Sequence, residues 1–344
     1  MPTINDVARH AGVSPMTVSR VINGETNVRP ATRELVDLAI QALNYAPNLA
    51  ARSLAGAARN RIGLLYSNPS AGFVNEFLIG SLDQATQGNV QLIFEKCGAG
   101  EEGADVARRL VADGIDGVVL GPPLCESAQV LEVFSSTGIP TVLLATALPP
   151  KGQLAVGIDD RRAALEMTRH LLALGHKRIG FIGGDPNLSA SGEREAGYRE
   201  ALAAAGLPIE PALIVAGRYD YRSGLEAAAR LLEQADRPTA IFASNDDMAA
   251  GAVAMAHRHG LDVPDDLTIC GFDDTALATA IWPELTTIKQ PIEDMSRAAM
   301  AMLIDAIRGQ RPANPDATCR LLDFELIRRQ SDAPPRPAKQ PRRS

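Results

Sequence analysis

The sequence predicts an all-α helix-turn-helix head followed by an α/β body of two doubly wound parallel-sheet lobes, and three observations carry that expectation. Up to Leu43, apolar residues recur at the three- and four-residue spacing of helices. From Arg61 the pattern changes to short apolar runs alternating with longer amphipathic segments, as in parallel α/β sheets. Those runs fall into two successive series, which fits two lobes with a cleft between them. At 344 residues the chain suits two or three compact units.

The head reads as three short helices. Thr3 caps a helix running to Ala11, with Asp6 three residues later as a shortened capping box and Ile4, Val7, Ala8 and Ala11 inside. Gly12-Val13 makes a tight turn. Ser14 then caps a second helix, with Pro15 at the first position, where its fixed φ and missing N–H cost nothing. Val18, Val21 and Ile22 face inward, leaving Met16, Thr17, Ser19, Arg20 and Asn23 outward. Such groups reach phosphates and base edges. A third helix follows Pro30, with Leu35, Val36, Ala39, Ile40 and Leu43 at inward spacing. A plain three-helix bundle with no DNA role fits the same local pattern.

Between head and body, Pro47 stops the third helix, Asn48 can cap another, and Gly56 ends it within three turns. So short a helix needs a partner to form. Leu49 and Leu54 beside Arg52 suit burial against another subunit or insertion into a minor groove. An ordinary linker helix is the alternative.

In the body the first series of expected strands covers residues 62–66, 90–94, 117–120, 140–144 and 155–158. The second covers 178–182, 212–215, 239–242, 267–270 and 285–288. A last helix over 292–307 and a last strand over 321–327 can return to either lobe. The expected domains are therefore 1–46 for the head, 47–60 for the linking helix and 61–330 for the body. Within the body, the first lobe takes 61–158 plus 290–319 and the second 159–289 plus 320–330. Beyond Gln330 the proline-rich basic tail, 331–344, is expected to be disordered.

Charge separates head from body. The net charge is −7, yet through Arg61 seven arginines face four acids, giving +3 and leaving −10 for the remainder. A basic head on an acidic body concentrates phosphate affinity in one module. Cys97, Cys125, Cys270 and Cys319 lie far apart without a C-x-x-C pair, so buried free thiols are expected rather than zinc or disulfides. No apolar run spans a bilayer and the N-terminus lacks a signal pattern, so a cytoplasmic protein is expected. That also counts against an exported solute-binding protein.

An enzymatic reading rests on Gly98-Ala-Gly-Glu-Glu-Gly103, a match to the dinucleotide fingerprint G-x-G-x-x-G. It follows the second strand of the body instead of opening a unit, and Glu101 and Glu102 would repel a pyrophosphate. No nucleophile motif, metal spacing or P-loop appears elsewhere, so neither an enzyme nor a cofactor is expected.

The head from Thr3 to Asn23, with Asn44-Tyr-Ala-Pro-Asn48, resembles the LacI/GalR family of bacterial transcription regulators. Leu174-Gly-His-Lys-Arg-Ile-Gly180, Ala243-Ser-Asn-Asp-Asp-Met-Ala249, Gly271-Phe-Asp-Asp274 and Leu285-Thr-Thr-Ile-Lys-Gln290 extend the resemblance over almost the whole chain. It implies a homodimeric repressor, reading a near-palindromic operator of a carbohydrate-utilisation operon. Pro15, Met16 and Arg20 match the family's base-reading positions, with Thr17, Ser19 and Asn23 nearer the backbone. Arg29, where many members carry a small polar cap, adds a phosphate contact. The short helix resembles the family's hinge helix, placing Asn48, Ala51 and Leu54 on DNA with Leu54 as the wedge.

For the body, the resemblance implies the fold of periplasmic sugar-binding proteins, with a small effector held between the lobes. Asp160, Arg194, Asn245 and Asp273 match effector-contact positions, and Tyr66, Phe73, Tyr219 and Trp282 are candidates to stack on a ring. A neutral sugar or glycoside is expected. A nucleobase or a phosphorylated sugar comes next, the latter because Arg218 and Arg222 can supply positive charge. No leucine heptads follow Gln330, so no tetramer is expected.

Overall fold

A computed structural model describes residues 2–22, 28–43, 59–98, 102–310 and 318–336. The chain divides into two compact units, Met1–Arg59 and Asn60–Ser344.

In the first unit, α1 (Ile4–Ala11) opens with the capping box. Asp6 N donates to Thr3 Oγ1 and Thr3 N donates to Asp6 Oδ2. Gly12, at φ +67°, makes the left-handed cap that turns the chain into α2 (Pro15–Ile22), a conformation costly for a residue with a Cβ. After α3 (Pro30–Ala42), the three helices share a core of Val7, Ala8, Val18, Val21, Val36 and Ala39. Leu35, expected inside, is 54% exposed. The core face of α3 runs through Val36, Ala39, Ile40 and Leu43, and Leu35 lies off it.

The second unit begins with β1 (Asn60–Tyr66), α4 (Ala71–Gly88), β2 (Val90–Lys96), α5 (Gly103–Ala112), β3 (Gly117–Leu120), α6 (Ala128–Thr137), β4 (Thr141–Leu144) and β5 (Leu154–Gly157). It crosses over and continues with α7 (Asp160–Ala173), β6 (Ile179–Gly183), α8 (Ser189–Ala204), β7 (Ile214–Ala216), α9 (Tyr221–Leu232), β8 (Ala240–Ala243), α10 (Asp246–Arg258), β9 (Thr268–Asp273), α11 (Leu277–Ala280) and β10 (Thr286–Lys289). It returns through α12 (Ile292–Ile307) to β11 (Cys319–Leu321) and crosses again to β12 (Glu325–Ile327).

Two six-stranded sheets result, in the orders β11-β5-β4-β3-β1-β2 and β12-β10-β9-β8-β6-β7. All pairings are parallel except β10 with β12. Strands such as Gly117-Val-Val-Leu120 and Ala240-Ile-Phe-Ala243 are buried throughout, as parallel strands covered on both faces must be. α12 packs against α4 and over β3, β4 and β5, joining the first sheet. Its face and that of α7 and α8 on the second sheet form one apolar cluster running through both lobes.

Two expectations change here. The last strand is split: Arg320 and Leu321 pair with β5 in the first lobe, so the chain returns to the second lobe only after Leu321. The segment 331–336, expected to be disordered, is docked. Ser331 is buried and accepts from Ile269 N at 2.9 Å. Asp332 bonds Thr286 and lies 2.8 Å from His170 Nε2, while Ala333 O meets His176 Nε2 at 2.9 Å. Fixed partners on the second lobe satisfy polar groups that composition alone consigns to solvent. Of the four cysteines, Cys319 is exposed.

Candidate functional site

Parallel sheets place their functional loops beyond the carboxyl ends of the strands. There a partly open cleft lies in the body, lined from both lobes, with a free interior of only about 40 Å³. The first lobe contributes Asn68, Ser70, Phe73, Pro122, Glu126 and Ala145, and the second Leu188, Ala190, Arg194, Tyr219, Asn245 and Asp273. Gln290 closes the ring from the connection between β10 and α12.

Arg194 is the centre. Its Nε lies 2.8 Å from Asp160 Oδ1, its Nη1 donates to Ser244 O at 2.5 Å, and Asp273 Oδ1 stands 3.9 Å away. The guanidinium lies over Phe272, 3.6 Å from the ring centroid. Burial works against its charge, but Asp160, Tyr219 and Asp273 outweigh burial and hold its pKa above the ordinary value. Burial pushes the carboxyls of Asp160 and Asp273 up, with Arg194 pulling both back.

Asn245 caps α10, its Oδ1 accepting from Met248 N at 2.9 Å, and its Nδ2 donates to Tyr219 O at 3.0 Å. Tyr219 sets its hydroxyl 2.7 Å from Ser191 Oγ and packs against Gly184, where a Cβ would meet its Cζ at 2.0 Å. Ala145, Tyr219 and Asp273 all have positive φ, at 56°, 60° and 106°. Three non-glycine residues in that region around one cavity mark strain gathered at a functional site.

Of the sequence-predicted cleft residues, Phe73, Arg194, Tyr219, Asn245 and Asp273 line the cavity. Asp160 stands behind Arg194 as its buried partner. Tyr66 is not among the lining residues: it ends β1 beside β2, and its ring stacks on Phe94 at 4.4 Å between centroids. Trp282 is 75% exposed and likewise does not line the cavity. Arg218 is mostly exposed and lies within 4 Å of Asp220 and Glu226, so it brings no unbalanced charge to a phosphate. Gln290 lines the cavity as well, a role its place at the end of Leu285-Thr-Thr-Ile-Lys-Gln290 does not announce. Its Nε2 donates to Asp273 Oδ1 at 3.3 Å, and its N donates to Asp273 O at 3.1 Å. Ser70 lines it too; it caps α4, a role the Asn-Pro-Ser turn before that helix could have signalled.

On the head, Ser14 Oγ accepts from Thr17 N at 3.2 Å and meets Thr17 Oγ1 at 2.9 Å, fixing the start of α2. Pro15, Met16 and Arg20 are exposed, Met16 by 64%, while Thr17 and Ser19 are half-buried. Arg29 precedes α3 without a side-chain capping bond. Arg33 Nη1 donates to Val21 O at 3.4 Å, tying α3 to the end of α2. Asn23, Asn48, Ala51 and Leu54 lie outside the described residues.

A helix-turn-helix head and a two-lobed α/β body with a cleft between the lobes define a ligand-responsive DNA-binding regulator. Residues 3–48 match the bacterial regulatory proteins of the lacI family, and residues 168–331 a periplasmic binding protein-like domain. The chain is 37% identical over 303 residues to catabolite control protein A of Priestia megaterium, covering 88% of this chain and 91% of that one. It is 35% identical over 316 residues to the transcriptional regulator CelR of Thermobifida fusca, covering 90% and 93%. Among solved structures, the lac repressor dimer bound to operator and the anti-inducer ONPF matches with a TM-score of 0.77 at 28% identity, covering 96% and 99%. A CelR–cellobiose complex matches with a TM-score of 0.73 at 31% identity, covering 96% and 100%.

The chain belongs to the LacI family of bacterial transcriptional regulators. That family consists of regulators and not enzymes, which disposes of the nicotinamide reading. In the structure Glu102 precedes α5 without a capping bond, and residues 99–101 lie outside the described set. No helix among the described residues is long and apolar enough to cross a membrane.

Proposed function

We propose that the protein is a cytoplasmic homodimeric repressor of a carbohydrate-utilisation operon, controlled by a neutral sugar bound between its lobes. The observation that carries this reading is the cavity itself. Arg194, Asn245, Asp273 and Gln290 present donors and acceptors together, as a polyhydroxylated ring requires, while Phe73 and Tyr219 offer ring faces. Its charge balance disfavours anions. Arg194 is already offset by Asp160 and Asp273, and Glu126 adds a further carboxylate. A phosphate would find no cation among the described lining residues besides Arg194, which Asp160 and Ser244 O already hold, so a neutral glycoside is the better fit. The CelR relative, solved with cellobiose, supports that class.

On DNA, Pro15, Met16 and Arg20 read bases in the major groove, with Thr17, Ser19, Asn23 and Arg29 on the backbone. Asn48, Ala51 and Leu54 act in the hinge helix, Leu54 as wedge. The lac repressor relative, solved as a dimer on its operator, supports that arrangement. Ile79 and Leu82 on α4, with Tyr221 and Trp282 on the second lobe, are large exposed apolar side chains available to a second copy. The test is a thermal-shift screen of mono- and disaccharides with their phosphates. A neutral sugar should raise the melting temperature and its phosphate should not; a response to phosphates alone would reverse the assignment.

A further inference from the structure

Two acids stand side by side at the start of α10, and the effector contacts leave both unused. Asp246 is fully buried. Its Oδ2 accepts from Thr275 N at 2.8 Å and lies 3.3 Å from Thr275 Oγ1, and its Oδ1 accepts from Thr287 Oγ1 at 2.7 Å. Thr275 follows Asp273 and Asp274, both at positive φ, and Thr287 lies in β10. Asp246 thus pins the strained acidic turn of the cavity to a neighbouring strand. The fit is close: a Cβ on Gly271 would lie 2.3 Å from Asp246 Oδ1.

Asp247 faces the other lobe. Ser70 Oγ donates to its Oδ2 at 2.6 Å, and Ser70 is the cap of α4, accepting from Phe73 N at 3.3 Å. Next to it Gly72 rests on Thr275, where a Cβ would come within 2.9 Å of Thr275 Cβ. The first turn of α4 therefore lands on the threonine that Asp246 holds from behind. At another point of the cavity wall Glu126, from the first lobe, accepts from Ser189 N at 2.8 Å and from Ser189 Oγ at 2.5 Å. Leu188, the residue at the cap of α8, has no side-chain capping bond, so a carboxylate from the opposite lobe supplies one.

We propose that Asp246 and Asp247 together couple the cavity to lobe closure: Asp246 is a positioning residue that presents Thr275 as the seat for α4, and Asp247 latches the cap of α4 onto the second lobe. Closing the lobes and setting the Asp273 turn then become one event, with the Glu126–Ser189 contact made or broken alongside. The inference rests on the effector reading for its purpose, but its test requires neither effector nor operator.

The Ser189 amide is the reporter, because its partner sits across the cleft and neither Asp246 nor Asp247 touches it. In the full-length protein without added ligand, hydrogen exchange at Ser189 should quicken about tenfold in Asp247→Ala, the loss of a charge-assisted bond. Asp247→Asn, whose amide oxygen still accepts a neutral bond from Ser70, should recover part of the parental protection. Gly72→Val, which wedges α4 off Thr275, and Asp246→Asn, which slackens the seat, should quicken it as well. Unchanged exchange at Ser189 in Asp247→Ala and Asp246→Asn would overturn the proposal while leaving the repressor reading intact. A quickened Ser189 would support the coupling even if the separate sugar screen failed and sank the effector reading.

Discussion

Arg194 and Asp160 form an ion pair, Nε to Oδ1 at 2.8 Å, in which the side chains retain only 6% and 3% of their exposure. Removing one partner leaves the other charge buried and unpaired, typically at a cost of about 3–5 kcal/mol. Arg194→Ala should lower urea stability by about that amount and abolish sugar binding by calorimetry. Asp160→Asn should cost less, because Arg194 keeps Ser244 O and Asp273. Unimpaired sugar binding in Arg194→Ala would remove it from the site.

Burial, with Glu293 and Asp274 nearby and Lys289 opposing, raises the Glu76 carboxyl to about 7. Burial likewise lifts Asp246 to about 7, against the hydrogen bonds from Thr287 and Thr275. A carboxyl raised in the folded state keeps its proton where the unfolded chain has lost it. Stability therefore falls as pH rises from about 4 to about 7 and levels off above that. Glu76→Gln should shrink the difference in urea midpoint between pH 5 and pH 8. An undiminished difference would place the titration elsewhere.

Asp332 has the opposite sign. Burial opposes its charge, but His170, Thr286 and Arg328 outweigh it and hold the carboxyl below its ordinary value. Its contribution is present above about pH 4 and is lost as pH falls through the folded value. A chain ending at Gln330 also forfeits the Ser331 and Ala333 bonds to β9 and β10. It should lose about 3 kcal/mol or more at neutral pH. Parental stability in the truncated chain would make the segment dispensable.

Arg20 and Arg29 should separate on DNA. Arg20→Ala should cost about 1–3 kcal/mol and relax preference at one base position of a site selected from random DNA. Arg29→Ala should weaken all sequences alike and reduce the salt slope by about one. Identical profiles for the two variants would refute the division into base and backbone readers.

What could be read from the sequence was local. The Thr3–Asp6 box, the Ser14-Pro15 start and the ten strands of the two series follow from caps and apolar runs, and each appears in the structure. The cleft residues came through the family resemblance. What escaped depended on distant partners. Tyr66 is offered by the resemblance as a ring-stacking aromatic, but Phe94 on the neighbouring strand takes its ring. Ser331-Asp-Ala-Pro-Pro335 looks like solvated tail until Thr268, Thr286 and His170 are brought to it. Gln290 and Ser70 meet at the cavity only because β10 and β1, far apart in sequence and in different sheets, both end there.

A sugar in the cleft should set the affinity of the head for operator. Fluorescence anisotropy on a selected palindromic site tests it most directly, with and without the sugar that raises the melting temperature. Operator affinity should change by about fivefold or more, the usual span of allosteric coupling, and the change should vanish in Arg194→Ala. A sugar that stabilises the body yet leaves operator affinity unchanged would contradict it.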